Sequence, residues 1–316
     1  MNYAGNTPMV DITYKYNRRI AHVYTKLEYY NPSGSIKDRI AAHIIDKATE
    51  RGELKQGQPI VETTSGNTGI AVAAYGALTK HPVHIFMPDW TSRERVQLMK
   101  MYGATVHLVS KEDNGFLGAL EQTTELVQSL DAFRINQFAN NDNIEAHYNS
   151  TGIEILDKIP DVTDFVSGVG SGGTLMGVGT RLKDANGTRL IAIEPDCNQI
   201  LAGKKATRQH RIEGIGDDFI PEIMNTKLLS QIIPIYDEDA IAMAAKLARE
   251  LGLGVGISSG ANFLGAVLAN TNDNQKVATV FSDDNKKYLS TSLADSPIAS
   301  ADMLTDQIIL LDIKRI

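Results

Sequence analysis

The stretch PIVETTSGNTGIAVAAYGALT, Pro59 to Thr79, decides the fold class of this 316-residue chain. It begins with a short β-branched run, passes through a polar loop around Gly66, and continues with apolar residues at helical spacing. The same order recurs in residues 84–102 and 105–130. Strands that alternate with helices in this way are typical of βαβ units, which build parallel sheets covered by helices.

The alternation resumes in the second half of the chain, where strands and helices are predicted over 164–169, 174–183, 189–194 and 238–251. We therefore predict an α/β protein of two three-layer α/β domains with mostly parallel sheets. Residues 1–140 form the first domain and residues 141–316 the second, and about 30 residues at the start are free to pack on the other domain. The polar run Asn136 to Asn143 is the predicted boundary.

The charge balance and the hydropathy pattern exclude two classes of partner. Lys and Arg number 31 against 38 Asp and Glu, so the formal charge is −7, and no basic run is long enough to follow a phosphate backbone. No apolar stretch is long enough to span a bilayer, and the start MNYAGNTPMV lacks the order of a secretory signal. We therefore predict a cytoplasmic protein that binds neither nucleic acid nor membrane.

Cysteine and histidine usage argues against a disulfide and against a metal. Cys197 is the single cysteine, so it cannot form an internal disulfide, and a partly buried neutral thiol is its expected state. His81 and His84 are three residues apart, but Pro82 between them argues against one helical face presenting both to an ion. No metal is expected.

The glycine-rich segment SGVGSGGTLMG, Ser167 to Gly177, follows a predicted strand and opens a predicted helix. The N–H groups of Gly170 to Thr174 can converge there on an anion such as a phosphate. Two other interpretations remain open. Tight strand-to-helix packing needs the same glycines, and Gly168, Gly170 and Gly173 also fit GxGxxG, with Glu194 placed to bind the ribose of a nicotinamide cofactor.

Three further loops carry polar side chains at the ends of strands or the starts of helices. Lys37 lies at a helix start, where a cation opposes the helix dipole. It is either an ordinary solvated lysine or an ε-amine that condenses with an aldehyde, in which case desolvation keeps the free amine uncharged and nucleophilic. The loop ETTSGNTG offers hydroxyl and amide donors around Gly66, either as a carboxylate cradle or as an N-cap box. Ser258 precedes a helix and provides a neutral acceptor or a cap.

Taken together, the motifs resemble one enzyme family along nearly the whole chain. They run in the family's order as GNTPMV, NPSGSIKDR, TSGNTGIA, MPDWTSRER, GATVHLV, NQFAN, TGIEI, GVGSGGT, EGIGDDFIP, GISSGAN and YLST. The chain is similar to the cysteine synthase and cystathionine β-synthase family, the O-acetylserine sulfhydrylase-like enzymes of pyridoxal-phosphate fold type II. The resemblance implies the tryptophan synthase β-like fold of that class.

The resemblance also implies a site for pyridoxal 5'-phosphate. Lys37 would hold the cofactor as a Schiff base, Asn67 would bond the ring hydroxyl oxygen, and Ser258 would meet the pyridine nitrogen. The implied phosphate-binding residues are Gly170, Ser171, Gly172, Gly173 and Thr174. The implied substrate carboxylate site consists of Thr64, Ser65, Gly66, Thr68 and Gln137.

In the commonest reaction of the family, sulfide replaces the acetate of O-acetylserine and cysteine forms. Lys37 would take the α-proton and later return it. The resemblance therefore predicts a cysteine synthase, which acts on a small amino acid, O-acetylserine, with sulfide as the nucleophile. The resemblance implies a homodimer and permits a serine acetyltransferase as partner.

Two departures from the family pattern leave the substrate open. Where the family has small residues after GIG, this chain has Asp217 and Asp218. They are either two solvated loop acids, or one of them is a general base for water, in which case cysteine would be consumed and serine and sulfide formed. The segment FSDDNKKYLST also differs in charge, and Trp90 is either a packing residue or a pocket lid.

Two rival classes remain besides the cysteine synthase and cysteine lyase interpretations. A nicotinamide dehydrogenase would use Gly168, Gly170, Gly173 and Glu194 but leaves the loops of Lys37 and Asn67 unexplained. A non-catalytic relative would keep the cofactor only to bind a partner enzyme, and the intact Lys37, Asn67 and Gln137 argue against it.

Overall fold

A computed structural model describes residues 3–295 and 303–316. The strands are Met9–Tyr16 (β1), Arg19–Leu27 (β2), Ile60–Thr63 (β3), Val83–Pro88 (β4), Thr105–Val109 (β5), Phe133–Arg134 (β6), Asp164–Gly168 (β7), Arg189–Pro195 (β8), Leu229–Ile235 (β9), Val277–Phe281 (β10) and Ile309–Arg315 (β11). The helices are Lys37–Glu50 (α1), Asn67–Thr79 (α2), Arg93–Met101 (α3), Gly115–Leu130 (α4), Asp142–Tyr148 (α5), Thr151–Lys158 (α6), Gly173–Asn186 (α7), Asp237–Leu251 (α8), Ile257–Ala269 (α9) and Leu304–Gln307 (α10).

The strands form two sheets, and the predicted α/β class with mostly parallel sheets is confirmed. The smaller sheet has the order β5-β4-β3-β6, and all its neighbours are parallel. The larger sheet has the order β11-β1-β2-β10-β7-β8-β9, in which β1 is antiparallel to both its neighbours and the remaining pairs are parallel. The division at residue 140 stays a proposal, and β1 and β2 belong to the larger sheet.

The central strands are buried on both faces, which explains their continuous apolar runs. In the smaller sheet, Ile60 and Ile85 pack into the core formed with α1 and α2. The next residues along these strands, Val61 and Phe86, point to the opposite face and pack against Ala119 of α4. In the larger sheet, α8 and α9 cover one face, and α6 and α7 cover the other.

A buried network of charges fixes α1 against the larger sheet. Arg39 of α1 donates through Nε to Glu28 at 2.6 Å and through Nη1 to Glu154 of α6 at 2.7 Å. Lys26 of β2 lies 2.6 Å from the same Glu154 carboxylate. Burial opposes ionisation of Glu154, yet the hydrogen bonds and charges of Arg39 and Lys26 lower its pKa to about 2. The first residue of α1, Lys37, is therefore held in a fixed position.

Among the helices of the described residues 3–295 and 303–316, none has the length and the apolar composition needed to cross a membrane.

Candidate active site

A cavity lies at the carboxyl ends of strands from both sheets. It brings together most of the residues singled out in the sequence: Lys37, Thr64, Ser65, Asn67, Thr68, Gln137, Gly170, Ser171, Gly172, Thr174, Asp217 and Ser258. Three predicted residues, Gly66, Gly173 and Asp218, are not part of its lining. Six separate chain segments thus converge on one space.

Lys37 projects into this cavity from the first position of α1. The preceding loop is rigid because Asp38 accepts hydrogen bonds from Ser33 N at 2.9 Å and Ser33 Oγ at 2.7 Å. Burial lowers the pKa of the Lys37 ammonium, and the Asp217 and Asp283 carboxylates oppose that shift. A lowered pKa increases the fraction of free amine, which is the form that condenses with an aldehyde or accepts a proton.

Asn67 begins α2 and faces the same cavity. Its Nδ2 donates to Asp283 Oδ2 at 2.8 Å, while its buried Oδ1 has no hydrogen-bond partner among the described residues. A buried amide oxygen without a partner costs free energy unless a ligand satisfies it. This unsatisfied atom fits the polar edge of a bound cofactor.

The substrate-carboxylate loop is tied to the polar run that we predicted as a boundary. Thr68 Oγ1 donates to Gln137 Oε1 at 2.7 Å, and Gln137 Nε2 donates to Thr63 O at 3.3 Å. Gly66 has φ +154°, and a Cβ there would collide with the side chain of Arg95 behind the loop. The hydroxyls of this loop can therefore approach a ligand from a fixed backbone.

The glycine loop at the start of α7 has no room for side chains. Gly172 has φ +86°, and a Cβ at Gly170 or Gly173 would collide with Gly214 O or with the Asn143 amide. Its backbone N–H groups at the helix N-terminus are therefore exposed to the cavity, as an anion site requires.

Side chains behind this loop support it. Asn143 Nδ2 donates to Ser171 Oγ at 2.9 Å, and His147 Nε2 lies 3.2 Å from Thr174 Oγ1. Burial lowers the pKa of His147 to about 3, with the charge of Arg39 adding to the shift, so the imidazole is neutral. The amine of Lys37, the anion site and the amide of Asn67 together fit pyridoxal phosphate.

The two aspartates of EGIGDDFIP have different surroundings. Asp217 lines the cavity, and burial raises the pKa of its carboxyl to about 6 against the charges of His210 and Lys37. Asp218 is exposed, and its Oδ1 accepts a hydrogen bond from Asn198 Nδ2 at 3.0 Å. Only Asp217 can therefore meet a substrate in the cavity.

Several functional residues escaped the sequence reasoning. Arg95 lines the cavity, pairs with Glu213 and lies 4.5 Å from the centre of the Tyr288 ring, and Asp283 binds Asn67. Arg95 belongs to the motif MPDWTSRER, and Asp283 belongs to the segment FSDDNKKYLST. A position in a motif does not show which residues a side chain contacts in the fold. Phe116 and Phe138 also line the cavity, and their rings meet only in the folded chain.

Two other candidates lie away from the cavity. Glu194 accepts a hydrogen bond from Leu201 N at 2.9 Å and is not part of the lining, so it cannot bind a ribose there. Trp90 packs on Gly115, and Lys111 Nζ lies 5.3 Å from the centre of its ring. Trp90 is thus a packing residue at the surface.

The chain belongs to the pyridoxal-phosphate dependent enzyme family, whose pattern matches residues 1–283. A cysteine synthase from Staphylococcus aureus is 39% identical over 294 residues, which cover 92% of this chain and 94% of that protein. A hydrogen sulfide-producing enzyme from Fusobacterium nucleatum is 44% identical, with a TM-score of 0.95 over 100% of this chain and 97% of the other. These relatives confirm pyridoxal phosphate as the cofactor and β-replacement as the reaction class.

A further crystal structure is that of an aspartate-to-asparagine variant of a hydrogen sulfide-producing enzyme in complex with an α-aminoacrylate intermediate. It is 43% identical to this chain, with a TM-score of 0.96 over 100% of this chain and 98% of that one. Both cysteine synthases and sulfide-producing enzymes thus resemble this protein over nearly its whole length.

Proposed function

We propose that this enzyme replaces the thiol of L-cysteine by water, which releases hydrogen sulfide and forms L-serine. The observation that carries the proposal is the Asp217 carboxyl, which lines the same cavity as Lys37. Its pKa of about 6 leaves it ionised at neutral pH and close to the pKa that favours a general base.

The cofactor would be held by Lys37, by the N–H groups of Gly170 to Thr174, and by Asn67 and Ser258. When bound, pyridoxal phosphate supplies an electron-withdrawing ring that stabilises negative charge at the substrate Cα. Thr64, Ser65, Thr68 and Gln137 orient the substrate carboxylate, and Gly66 lets their loop turn. Lys37 Nζ takes the proton from Cα, after which the thiol leaves Cβ as hydrosulfide.

Asp217 acts in the second half of the reaction. Its carboxylate takes a proton from water while the water oxygen bonds to Cβ, and Lys37 Nζ returns the proton to Cα. A carboxylate at this place also repels hydrosulfide, which disfavours the reverse entry of sulfide. Asp218 takes no part because its carboxylate is exposed and hydrogen-bonded to Asn198.

The second candidate is the synthesis of cysteine from O-acetylserine and sulfide. It is supported by the identity to the cysteine synthase from Staphylococcus aureus, and it would use the same Lys37, Asn67 and Gln137. The two candidates share every residue except Asp217, which only the addition of water needs.

The test supplies cysteine alone and, separately, O-acetylserine with sulfide, and measures serine, cysteine and sulfide. Asp217→Asn is expected to lower serine formation about 10²-fold or more, because general-base catalysis is lost. The matched control Asp218→Asn removes a neighbouring carboxylate outside the cavity and should retain the wild-type rate. Undiminished serine formation by Asp217→Asn, with normal cofactor absorbance, would overturn the proposal.

The proposal extends to assembly and location. The family resemblance favours a cytoplasmic homodimer and permits a serine acetyltransferase as partner. Light scattering of the purified enzyme, alone and mixed with an acetyltransferase, measures both assemblies directly.

A further inference from the structure

Asp217 lies in the long segment between β8 and β9, and the peptide before it is tightly fixed. Gly216 N donates to Val169 O at 2.9 Å. Gly216 O accepts two hydrogen bonds, from Asn198 Nδ2 at 2.8 Å and from His210 Nε2 at 2.7 Å. The direction of the next residue, Asp217, therefore depends on the donors that hold this carbonyl.

The backbone at Gly216 leaves little freedom of its own. Its φ is +77°, a conformation that favours glycine, and a Cβ there would lie 2.6 Å from Pro195 Cγ and 3.0 Å from His210 Nε2. The imidazole of His210 and the ring of Pro195 thus restrict the space around the Gly216 backbone.

The residues on both sides of His210 are anchored by one carboxylate, that of Asp237. Asp237 Oδ2 at the start of α8 accepts from Arg208 Nη1 at 2.8 Å and from Arg211 N at 3.0 Å. Asp196 and Cys197 lie within 4.8 Å of Asp237, and Arg208 also pairs with Asp196 at 3.5 Å. The Arg208 guanidinium bridges these two carboxylates, so the cluster anchors the chain around His210.

The hydrogen bond to Gly216 defines the role of His210 Nε2. A carbonyl oxygen only accepts, so Nε2 carries the proton. The other ring nitrogen, Nδ1, is buried and has no partner within residues 3–295 and 303–316. The one hydrogen bond of this imidazole therefore goes to the carbonyl beside Asp217.

We propose that His210 is a positioning residue which, through the Gly216 carbonyl, directs the Asp217 carboxylate toward the reacting water. This inference rests on the proposed function, since it concerns the same carboxylate. Asn198 does not replace His210, because its Nδ2 group also binds the exposed Asp218 carboxylate at 3.0 Å. The imidazole ties Gly216 to the segment that Asp237 anchors.

The experiment compares two reactions of the loaded enzyme with cysteine. In the first, water enters and serine forms. In the second, 2-mercaptoethanol enters and S-(2-hydroxyethyl)cysteine forms, with hydrogen sulfide released in both. The added thiol loses its proton readily to solvent, so it does not need the Asp217 base. The ratio of the two products reports the position of Asp217 separately from cofactor binding.

His210→Leu is expected to lower serine formation tenfold to a hundredfold, roughly the loss that a displacement of about 1 Å causes. Thiol entry should stay within about twofold of wild type, because Lys37 and the cofactor site are unchanged. His210→Gln keeps an N–H donor near the place of Nε2 and should restore most of the serine rate. The matched control is His81→Leu, which removes a similar bond from His81 Nδ1 to Gln58 O at 2.9 Å outside the cavity.

The outcomes separate this inference from the proposed function. Equal loss of both products in His210→Leu, no recovery in His210→Gln, or the same effect in His81→Leu would each overturn the positioning role. If Asp217→Asn forms serine normally, the proposed function fails. If Asp217→Asn fails to form serine while His210→Leu forms it normally, only the positioning role fails. Thermal unfolding of each variant identifies a misfolded protein. If His210→Leu is misfolded, the product ratio of His210→Gln decides whether the positioning role holds.

Discussion

Two glycine turns lie side by side at the edge of the cavity, and they supply opposite charges. The turn at 168–174 joins β7 directly to α7, and it presents backbone N–H groups. The turn at 213–218 lies in an irregular segment, and it presents the Asp217 carboxylate. Both need left-handed glycines, with φ +86° at Gly172 and +77° at Gly216. Local backbone geometry makes the anion site, whereas distant contacts make the carboxylate site.

The two turns are also pressed against each other. Gly216 N donates to Val169 O at 2.9 Å, and a Cβ at Gly170 would strike Gly214 O. The spacing between the phosphate site and the proposed base is thus fixed by direct backbone contact. A change at this junction should therefore affect both turns together.

The largest effect is expected from Lys37→Ala, which removes the amine on which the proposed functions of both turns depend. Without the amine, neither the cofactor attachment nor the proton transfer at Cα can occur, so sulfide release should fall by at least about 10³-fold. Sulfide is measured with cysteine and added pyridoxal phosphate. Lys286→Ala, which removes an exposed lysine, is the control. Normal turnover by Lys37→Ala would refute the assigned chemistry.

Gly170→Ala tests the junction between the turns. The methyl group would collide with the Gly214 carbonyl, and overpacking of this kind costs about 1–3 kcal/mol, which is about a tenfold to hundredfold weaker cofactor affinity. A titration with pyridoxal phosphate measures the affinity. Gly187→Ala at the end of α7 adds a methyl group that meets no neighbouring atom, so it is the control for the added methyl group. Equal affinities in the two variants would argue against contact between the turns.

The pH dependence of serine formation tests the carboxylate turn, residues 213–218, separately from the anion turn, residues 168–174. Burial raises the pKa of Asp217 to about 6, against the charges of His210 and Lys37, so the base is available above that pH and lost below it. Serine formation should therefore fall about tenfold per pH unit below pH 6. Asp218→Asn should keep this acid limb. Its persistence in Asp217→Asn would assign the limb to another group.

The same contrast explains what could be predicted from the sequence. Strand, polar loop and helix follow one another around Gly66 and Gly172, so both helices could be predicted, and the one predicted over 174–183 begins within one residue of α7. The choice between Asp217 and Asp218 stayed open, because adjacent residues of an irregular segment point where tertiary contacts direct them. Asn198 and His210, which set that direction, gave no sequence signal.

Distant strand pairing was hidden from the sequence for the same reason. Val23 of β2 pairs with Val277 of β10, and this contact joins the start of the chain to the larger sheet. The periodicity of either strand indicates a strand but not its neighbour. The roles of Arg95 and Asp283 required the fold too, since their partners lie in other segments.

The smallest effect on catalysis is expected from Glu62→Gln, which sharpens the comparison with Asp217. Burial raises the pKa of both carboxyls, but Glu62 is fully buried and is not part of the cavity lining. Burial raises the pKa of Glu62 to about 7, and the charge of Arg134 and backbone hydrogen bonds only partly offset this shift. At Asp217 the raised pKa suits a general base, whereas at Glu62 it affects only the stability of the fold.

The sign follows from the raised pKa. The unfolded carboxyl ionises near pH 4.5, and the folded one near 7, so stability is full below pH 4.5 and is lost as pH rises through that window. The loss is about 3 kcal/mol above pH 7, and Glu62→Gln should recover part of it at pH 8 and none at pH 4.5. Urea unfolding at both pH values measures the difference, with Asp218→Asn as the exposed control. An equal effect at the two pH values would mean that Glu62 is ionised in the fold, and that burial alone does not prepare Asp217 either.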